Sequence, residues 1–282
     1  MNGAESLVNT LLANDVSVCF TNPGTSEMHF VAALDHISGM RSVLVLQEGV
    51  ATGAADGYYR MAGKPASTLL HLGPGLANGV SNLHNAKKAG SGIVNIIGEH
   101  ASTHIALDAP LTSDIEGIAR PVSHWVRTSQ SATTVGKDAA EAVQAAKVTP
   151  GQIVSLILPS DTAWDEGGLV HDELTASFPR LFDQESLIRA ADMLNGPETL
   201  LLLGGTALTE NNLQVAGRIA AKTGCHLLSE WSNARLERGA GRVSIDRVPY
   251  PIDIALKVLE PFKRIVLIGA RAPIGFFAYP EK

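Results

Sequence analysis

The sequence predicts an α/β protein built on parallel sheet, and three observations carry that reading. Short apolar runs of strand length alternate with longer segments of helical periodicity. Glycine is abundant, 27 of 282 residues, and many glycines directly follow the apolar runs, where a strand would turn into a helix. Several runs are apolar without alternation, as in strands covered on both faces.

Taken in order, Leu7, Leu11 and Leu12 share one face of an opening helix, which gives way at Asn14-Asp15 to a strand over 16–20. The turn Asn22-Pro23-Gly24-Thr25-Ser26-Glu27 leads into a helix that Thr25 or Ser26 would cap and that buries Phe30, Val31 and Leu34. A strand over 42–46 reads as buried on both faces. A helix over 49–62 follows, then a strand over 67–72 closed by Gly73-Pro74-Gly75, a helix over 76–90 and a strand over 93–97. Residues 100–120 are polar, contain Pro110, and read as a long loop; a helix over 136–147 and a strand over 153–158 come next. The first domain is therefore drawn as 1–165 and a linker as 166–182, on Gly167-Gly168, Pro179 and the lack of periodic apolar positions.

A second, Rossmann-like α/β domain is drawn as 183–282. It has a helix over 185–195, a strand over 199–203, the turn Gly204-Gly205, a helix over 210–223, a short strand near 226–228 and a strand over 265–268. No closing helix follows the last strand, so this domain is expected to be incomplete and the chain truncated.

Bulk properties exclude several functions. The net charge is −6 and no basic run stands out, which argues against a nucleic-acid partner. No apolar stretch is long enough to span a bilayer, and the N-terminal segment lacks the basic region of a signal peptide. The two cysteines, Cys19 and Cys225, read as buried thiols of a cytoplasmic protein. His100 and His104 have the spacing of a zinc pair but lie in the expected loop with no third ligand evident, so no metal ligands are assigned. Gly73-x-Gly75-x-x-x-Gly79 has the wrong spacing for a dinucleotide fingerprint.

Four segments fall at the carboxyl ends of expected parallel strands: Asn22–Thr25, Gln47-Glu48-Gly49, His71–Gly75 and Gly98-Glu99-His100. Ligands of open α/β sheets bind at that edge, so all four can converge on one crevice. Glu48 is the sharpest residue. It follows an apolar strand and begins a helix of Gly49, Ala51, Gly53, Ala54, Ala55 and Gly57. A carboxylate there is either a favourable charge at a helix N-terminus or a buried functional acid. Each glycine costs that helix about 1 kcal/mol. Close approach of another backbone, a subunit or a cofactor ring would offset the cost.

The run Glu48-Gly49-Val50-Ala51-Thr52-Gly53-Ala54-Ala55-Asp56-Gly57-Tyr58-Tyr59-Arg60 resembles the glutamate-and-helix signature of thiamine-diphosphate enzymes of the acetolactate synthase and benzoylformate decarboxylase group. Asn22-Pro23-Gly24, Gly73-Pro74-Gly75-Leu76-Ala77-Asn78-Gly79 and Pro159-Ser160-Asp161 resemble that family's other loops, in order. The likeness runs through 1–165 and more weakly through 183–282. It implies a thiamine-diphosphate pyrimidine-binding domain followed by part of a middle domain.

The resemblance implies that Glu48 hydrogen-bonds the cofactor's aminopyrimidine and promotes the tautomer that deprotonates the thiazolium. The thiazolium then serves as electron sink while a 2-oxo acid loses CO₂ or its remnant joins a second carbonyl. Asn22, Pro23, Gly24, Gly75 and Asn78 would line the cofactor with Glu48. His71 falls where benzoylformate decarboxylase has a catalytic histidine; the plain alternative is a histidine ending a strand. Thr25 falls where that enzyme has an active-site serine; the plain alternative is a helix cap. Gln47 stands where many relatives carry histidine, which puts a proton relay there in doubt. The family holds the diphosphate through Mg²⁺ on a Gly-Asp-Gly segment of a third domain, and none occurs in these residues. The Mg²⁺ ligands are accordingly expected in a C-terminal domain absent from this sequence. Flavin is a ligand of some relatives' middle domains, and Gly204-Gly205-Thr206 could approach a nucleotide such as FAD; a tight turn is the more economical reading, and FAD is unsupported. The expected protein is a cytoplasmic homodimer or homotetramer acting on a 2-oxo acid. The alternatives are a subunit of a two-chain enzyme and a non-catalytic scaffold.

Overall fold

The computed structural model describes residues 1–172, 174 and 182–280. The chain divides into two compact units, Met1–Pro179 and Arg180–Lys282.

The first unit is a parallel sheet of six strands: β1 (Val18–Asn22), β2 (Arg41–Leu44), β3 (Ala66–Leu70), β4 (Ile93–Glu99), β5 (Trp125–Thr128) and β6 (Ile153–Pro159), in the order β2-β1-β3-β4-β6-β5. Its helices are α1 (Gly3–Ala13), α2 (Met28–His36), α3 (Glu48–Ala62), α4 (Leu72–Ala89), α5 (Ile115–Ala119), α6 (Ala132–Ala146) and α7 (Ser160–Trp164). Side chains alternate across the inner strands, as the two-residue period of a strand requires. Leu69, Val94, Ile96, Val154 and Leu156 join a core with α1, α2 and α6. Leu70, Ile93, Ile97, Ile153 and Ile157 join a second core with α3, α4 and α5 on the opposite face. Both faces of β3, β4 and β6 are therefore covered, which explains their unbroken apolar runs.

Several sequence expectations are corrected. The strand over 42–46 is not buried on both faces: β2 lies at the sheet edge, with Leu44 73% and Leu46 97% exposed. A continuous apolar run does not report strand order, and here the order leaves β2 with β1 as its only neighbour among the described residues. Neither Thr25 nor Ser26 caps α2; both lie in a 3-10 turn, Thr25–Glu27, and the capping position falls to Glu27 with no side-chain hydrogen bond. The stretch 100–120 is not all loop, because α5 forms within it. The reading also missed β5, whose Arg127 and Thr128 break any apolar run.

The expected linker over 166–182 begins as part of the first unit. Gly167 and Gly168 donate backbone N–H groups to the Met1 carbonyl, and the Ser6 hydroxyl donates to the Leu169 carbonyl at 2.6 Å. Residues 173 and 175–181 of that expected linker lie outside the described residues.

The second unit has a parallel sheet of β7 (Thr199–Leu203), β8 (His226–Ser229), β9 (Asp246–Arg247) and β10 (Arg264–Ile268), ordered β10-β7-β8-β9. Helices α8 (Gln184–Met193), α9 (Glu210–Thr223) and α10 (Ile252–Leu259) accompany it; α10 was not expected from the sequence. Leu201 and Leu203 pack on α9 through Leu213 and Ala216, while Leu200 and Leu202 pack with Ala255 of α10. Among the described residues no helix is long and apolar enough to cross a membrane.

Candidate functional site

From β1 the first sheet grows one way to β2 and the other way to β3 and β4. The chain thus changes direction between β1 and β3. At such a switch point the loops leaving the two strands fold to opposite faces, and a crevice opens at their carboxyl ends. The loop after β1 is residues 23–27, and His71 follows β3 directly. Next to them, Glu48 opens α3 after β2.

Around His71 the packing is close. Its Nδ1 lies 2.9 Å from Oε2 of Glu27, and that oxygen also accepts the Gly24 backbone N–H at 2.7 Å. Glu27 is only 2% exposed, and its Oε1 has no hydrogen-bond partner among the described residues. Gly24 has φ −115°, a conformation open to any residue. Its requirement for glycine is steric, because an added Cβ would lie within 3.0 Å of three atoms of the His71 ring. Leu72, which starts α4, has φ +48° and is fully buried. A bulky side chain in the left-handed region costs of order 1–3 kcal/mol and persists only where its surroundings enforce it. The strain sits immediately after His71.

Glu48 is 7% exposed, and its Oε2 accepts a hydrogen bond from the Asn78 amide at 2.9 Å. Its place in the first turn of α3 puts the negative charge where the helix dipole favours it. Gly75 stands between Glu48 and His71: an added Cβ would lie 2.9 Å from Oε1 of Glu48 and 3.2 Å from Cβ of His71. The Gly75 N–H donates to the His71 carbonyl at 2.7 Å, which fixes this approach. Helices α3 and α4 cross closely. The Asn82 amide donates to the Gly49 carbonyl at 2.6 Å, and the Thr52 hydroxyl donates to the Gly79 carbonyl at 3.1 Å. Gly49 and Gly53 are thus partly accounted for by α4 of the same chain. Gly57 is not, for an added Cβ there meets nothing within 4 Å.

Of the residues expected from the sequence, the fold brings Gly24, Glu48, His71, Gly75 and Asn78 together. Asn22 ties the loop after β1 to the end of β2, its amide donating to the Val45 carbonyl at 2.8 Å. Pro23 is half-buried beside it, and Thr25 is exposed. Gln47 is exposed at the N-terminus of α3.

The sequence shows Glu27 only as part of a turn, and its burial comes from the fold. Glu99, in the segment Gly98-Glu99-His100 expected at the crevice, closes an apolar strand as Glu48 nearly does. It is 6% exposed, its Oε1 accepts the His100 backbone N–H at 2.7 Å, and burial pushes its carboxyl above the ordinary range. His100 and His104 have ring centroids 5.6 Å apart, but no group of three metal-type side chains exists among the described residues.

Comparison with known proteins gives the following likenesses. Residues 1–118 match the family model described as thiamine pyrophosphate enzyme, N-terminal TPP binding domain. The chain is 48% identical over 280 residues to a Mycobacterium tuberculosis protein provisionally named an acetolactate synthase large subunit, covering 99% of this chain and 54% of that one. It is 31% identical over 152 residues to the benzoylformate decarboxylase of Pseudomonas aeruginosa, covering 54% of this chain and 28% of that enzyme. Among solved structures, the thiamine diphosphate-dependent 4-hydroxybenzoylformate decarboxylase of Rhodococcus jostii superposes with TM-score 0.83 at 21% identity, over 99% of this chain and 53% of that one. At that identity the likeness shows the fold alone. The chain spans about half the length of the first-named relative and of this structure.

Proposed function

We propose that this chain supplies the pyrimidine-binding half of a thiamine-diphosphate-dependent enzyme that decarboxylates a 2-oxo acid or joins its remnant to a second carbonyl. The observation that carries the reading is Glu48: a carboxylate 7% exposed, on the first turn of α3, with Oε2 held by Asn78 and Oε1 2.9 Å from where a Cβ of residue 75 would lie.

That cradle fits an aminopyrimidine, which offers ring nitrogen and amino groups in one plane. A Cβ at 75 would press on Oε1, so glycine there leaves the carboxylate undisturbed. In this reading Glu48 holds a proton in a hydrogen bond to the ring nitrogen, and Asn78 keeps the carboxylate oriented through Oε2. When bound, the cofactor's thiazolium supplies the electron sink for loss of CO₂. His71 holds or delivers a proton across Gly75 from Glu48, and Thr25, exposed at the rim, meets the substrate carboxylate. No Gly-Asp-Gly occurs in these residues, and the diphosphate and its Mg²⁺ are assigned to none of them. It also implies a homodimer or homotetramer, with α3 at the contact, in the cytoplasm.

The test is proton exchange at the cofactor's C2 in a protein that joins this chain to a diphosphate-binding domain. Glu48→Gln should fold and bind yet exchange slower by about 10²–10⁴-fold, the usual loss for one proton relay. Unchanged exchange in a folded variant removes Glu48 from the mechanism.

A further inference from the structure

His71 is held from three sides. Glu27 meets Nδ1, the glycine at 24 leaves the slot in which the ring sits, and Leu72 is bent into the left-handed region directly after it. None of these is needed to end a strand. Together they fix both the rotamer of the ring and the partner of one of its nitrogens.

The proton between Glu27 and His71 has two resting places. Oε2 of Glu27 already accepts the Gly24 N–H at 2.7 Å, so it serves as an acceptor and the Nδ1–H of His71 is the donor to it. Among the described residues Oε1 has no acceptor to which a protonated acid could donate. With the proton on Nδ1, the neutral ring carries its lone pair on Nε2. The side chain of Glu27 is 1% exposed and that of His71 23%, so the part of the pair that meets solvent belongs to the imidazole.

We propose that Glu27 and His71 form a carboxylate–imidazole dyad in which Glu27 is a positioning residue: it keeps the proton on Nδ1 and leaves Nε2 as the basic atom facing the crevice. Taking up a proton at Nε2 makes the ring a cation, which the buried Glu27 carboxylate stabilises. Releasing that proton restores the neutral pair, so the dyad accepts and returns one proton without net change. Use of the dyad in turnover rests on the proposed function; its protonation state rests on this chain alone.

The experiment is nitrogen-15 NMR of the imidazole groups in the 282-residue chain without cofactor, with His71 assigned from a His71→Gln variant. The neutral ring should show a protonated Nδ1 and a bare Nε2, with a preference of about tenfold or more, as a hydrogen bond to a charged group gives. Glu27→Gln should erode this to a mixture of both tautomers. A dominant Nε2–H tautomer in the parent chain overturns the proposal, and so does an unchanged tautomer ratio in folded Glu27→Gln. If that variant does not fold, the parent spectrum still decides between the two tautomers. Because no cofactor is present, the result stands or falls separately from the Glu48 exchange experiment.

Discussion

Substituting Gly24 by alanine separates a steric role from a backbone one. At φ −115° alanine costs the backbone nothing, so the whole effect comes from the new methyl group. That Cβ would lie within 3.0 Å of Cγ, Nδ1 and Cε1 of His71, whereas carbon atoms rest at about 3.5–4.0 Å. The ring must retreat by roughly an ångström, and a contact of 2.9 Å to Glu27 stretched by that amount is no longer a hydrogen bond. Losing a hydrogen bond to a charged group costs about 1.5–3 kcal/mol, and overpacking adds about 1–3 kcal/mol. The sum is about 3–5 kcal/mol at its centre. For a unit of 179 residues this lowers the melting temperature by roughly 6–20 °C. Thermal unfolding followed by circular dichroism, with Gly57→Ala as a control in open space, measures it. A Gly24→Ala chain that melts within a degree or two of its parent would show that the loop yields and does not hold the ring.

Two further expectations test other parts of the fold. Burial raises the carboxyl of Glu99, so the folded state favours its neutral form; the stability it contributes is present at low pH and is lost as pH rises through the raised value. Glu99→Gln keeps the acceptor for the His100 N–H but never ionises. It should melt higher than the parent at neutral pH, with the gap closing near pH 4, about the ordinary glutamate value; a gap independent of pH would exclude this cause. Gly57→Leu should leave the isolated chain as stable or more so, because nothing lies within 4 Å and glycine costs a helix about 1 kcal/mol. If α3 packs on a second copy, the same change overpacks the assembled protein by about 1–3 kcal/mol, and light scattering would report dissociation.

The sequence alone determined the parallel sheet and most of the alternation of strands and helices, though it missed β5, α5 and α10 and took the first turn of α4 for a loop. These depend on local periodicity and turn chemistry, which each segment carries in itself. It also singled out Glu48, because an acid between an apolar strand and a glycine-rich helix conflicts with ordinary helix economy. Strand order was beyond it: pairing joins residues far apart in the chain, and an apolar run is the same at an edge as at the centre. Only the tertiary structure placed β2 outside, set the reversal between β1 and β3, and so decided which loops face one another. Glu27 shows the difference most plainly. In the sequence it is one more polar residue in a turn. The β1–β3 reversal buries it against His71, beside a glycine whose missing side chain makes the room, and no pattern within residues 22–27 records that contact.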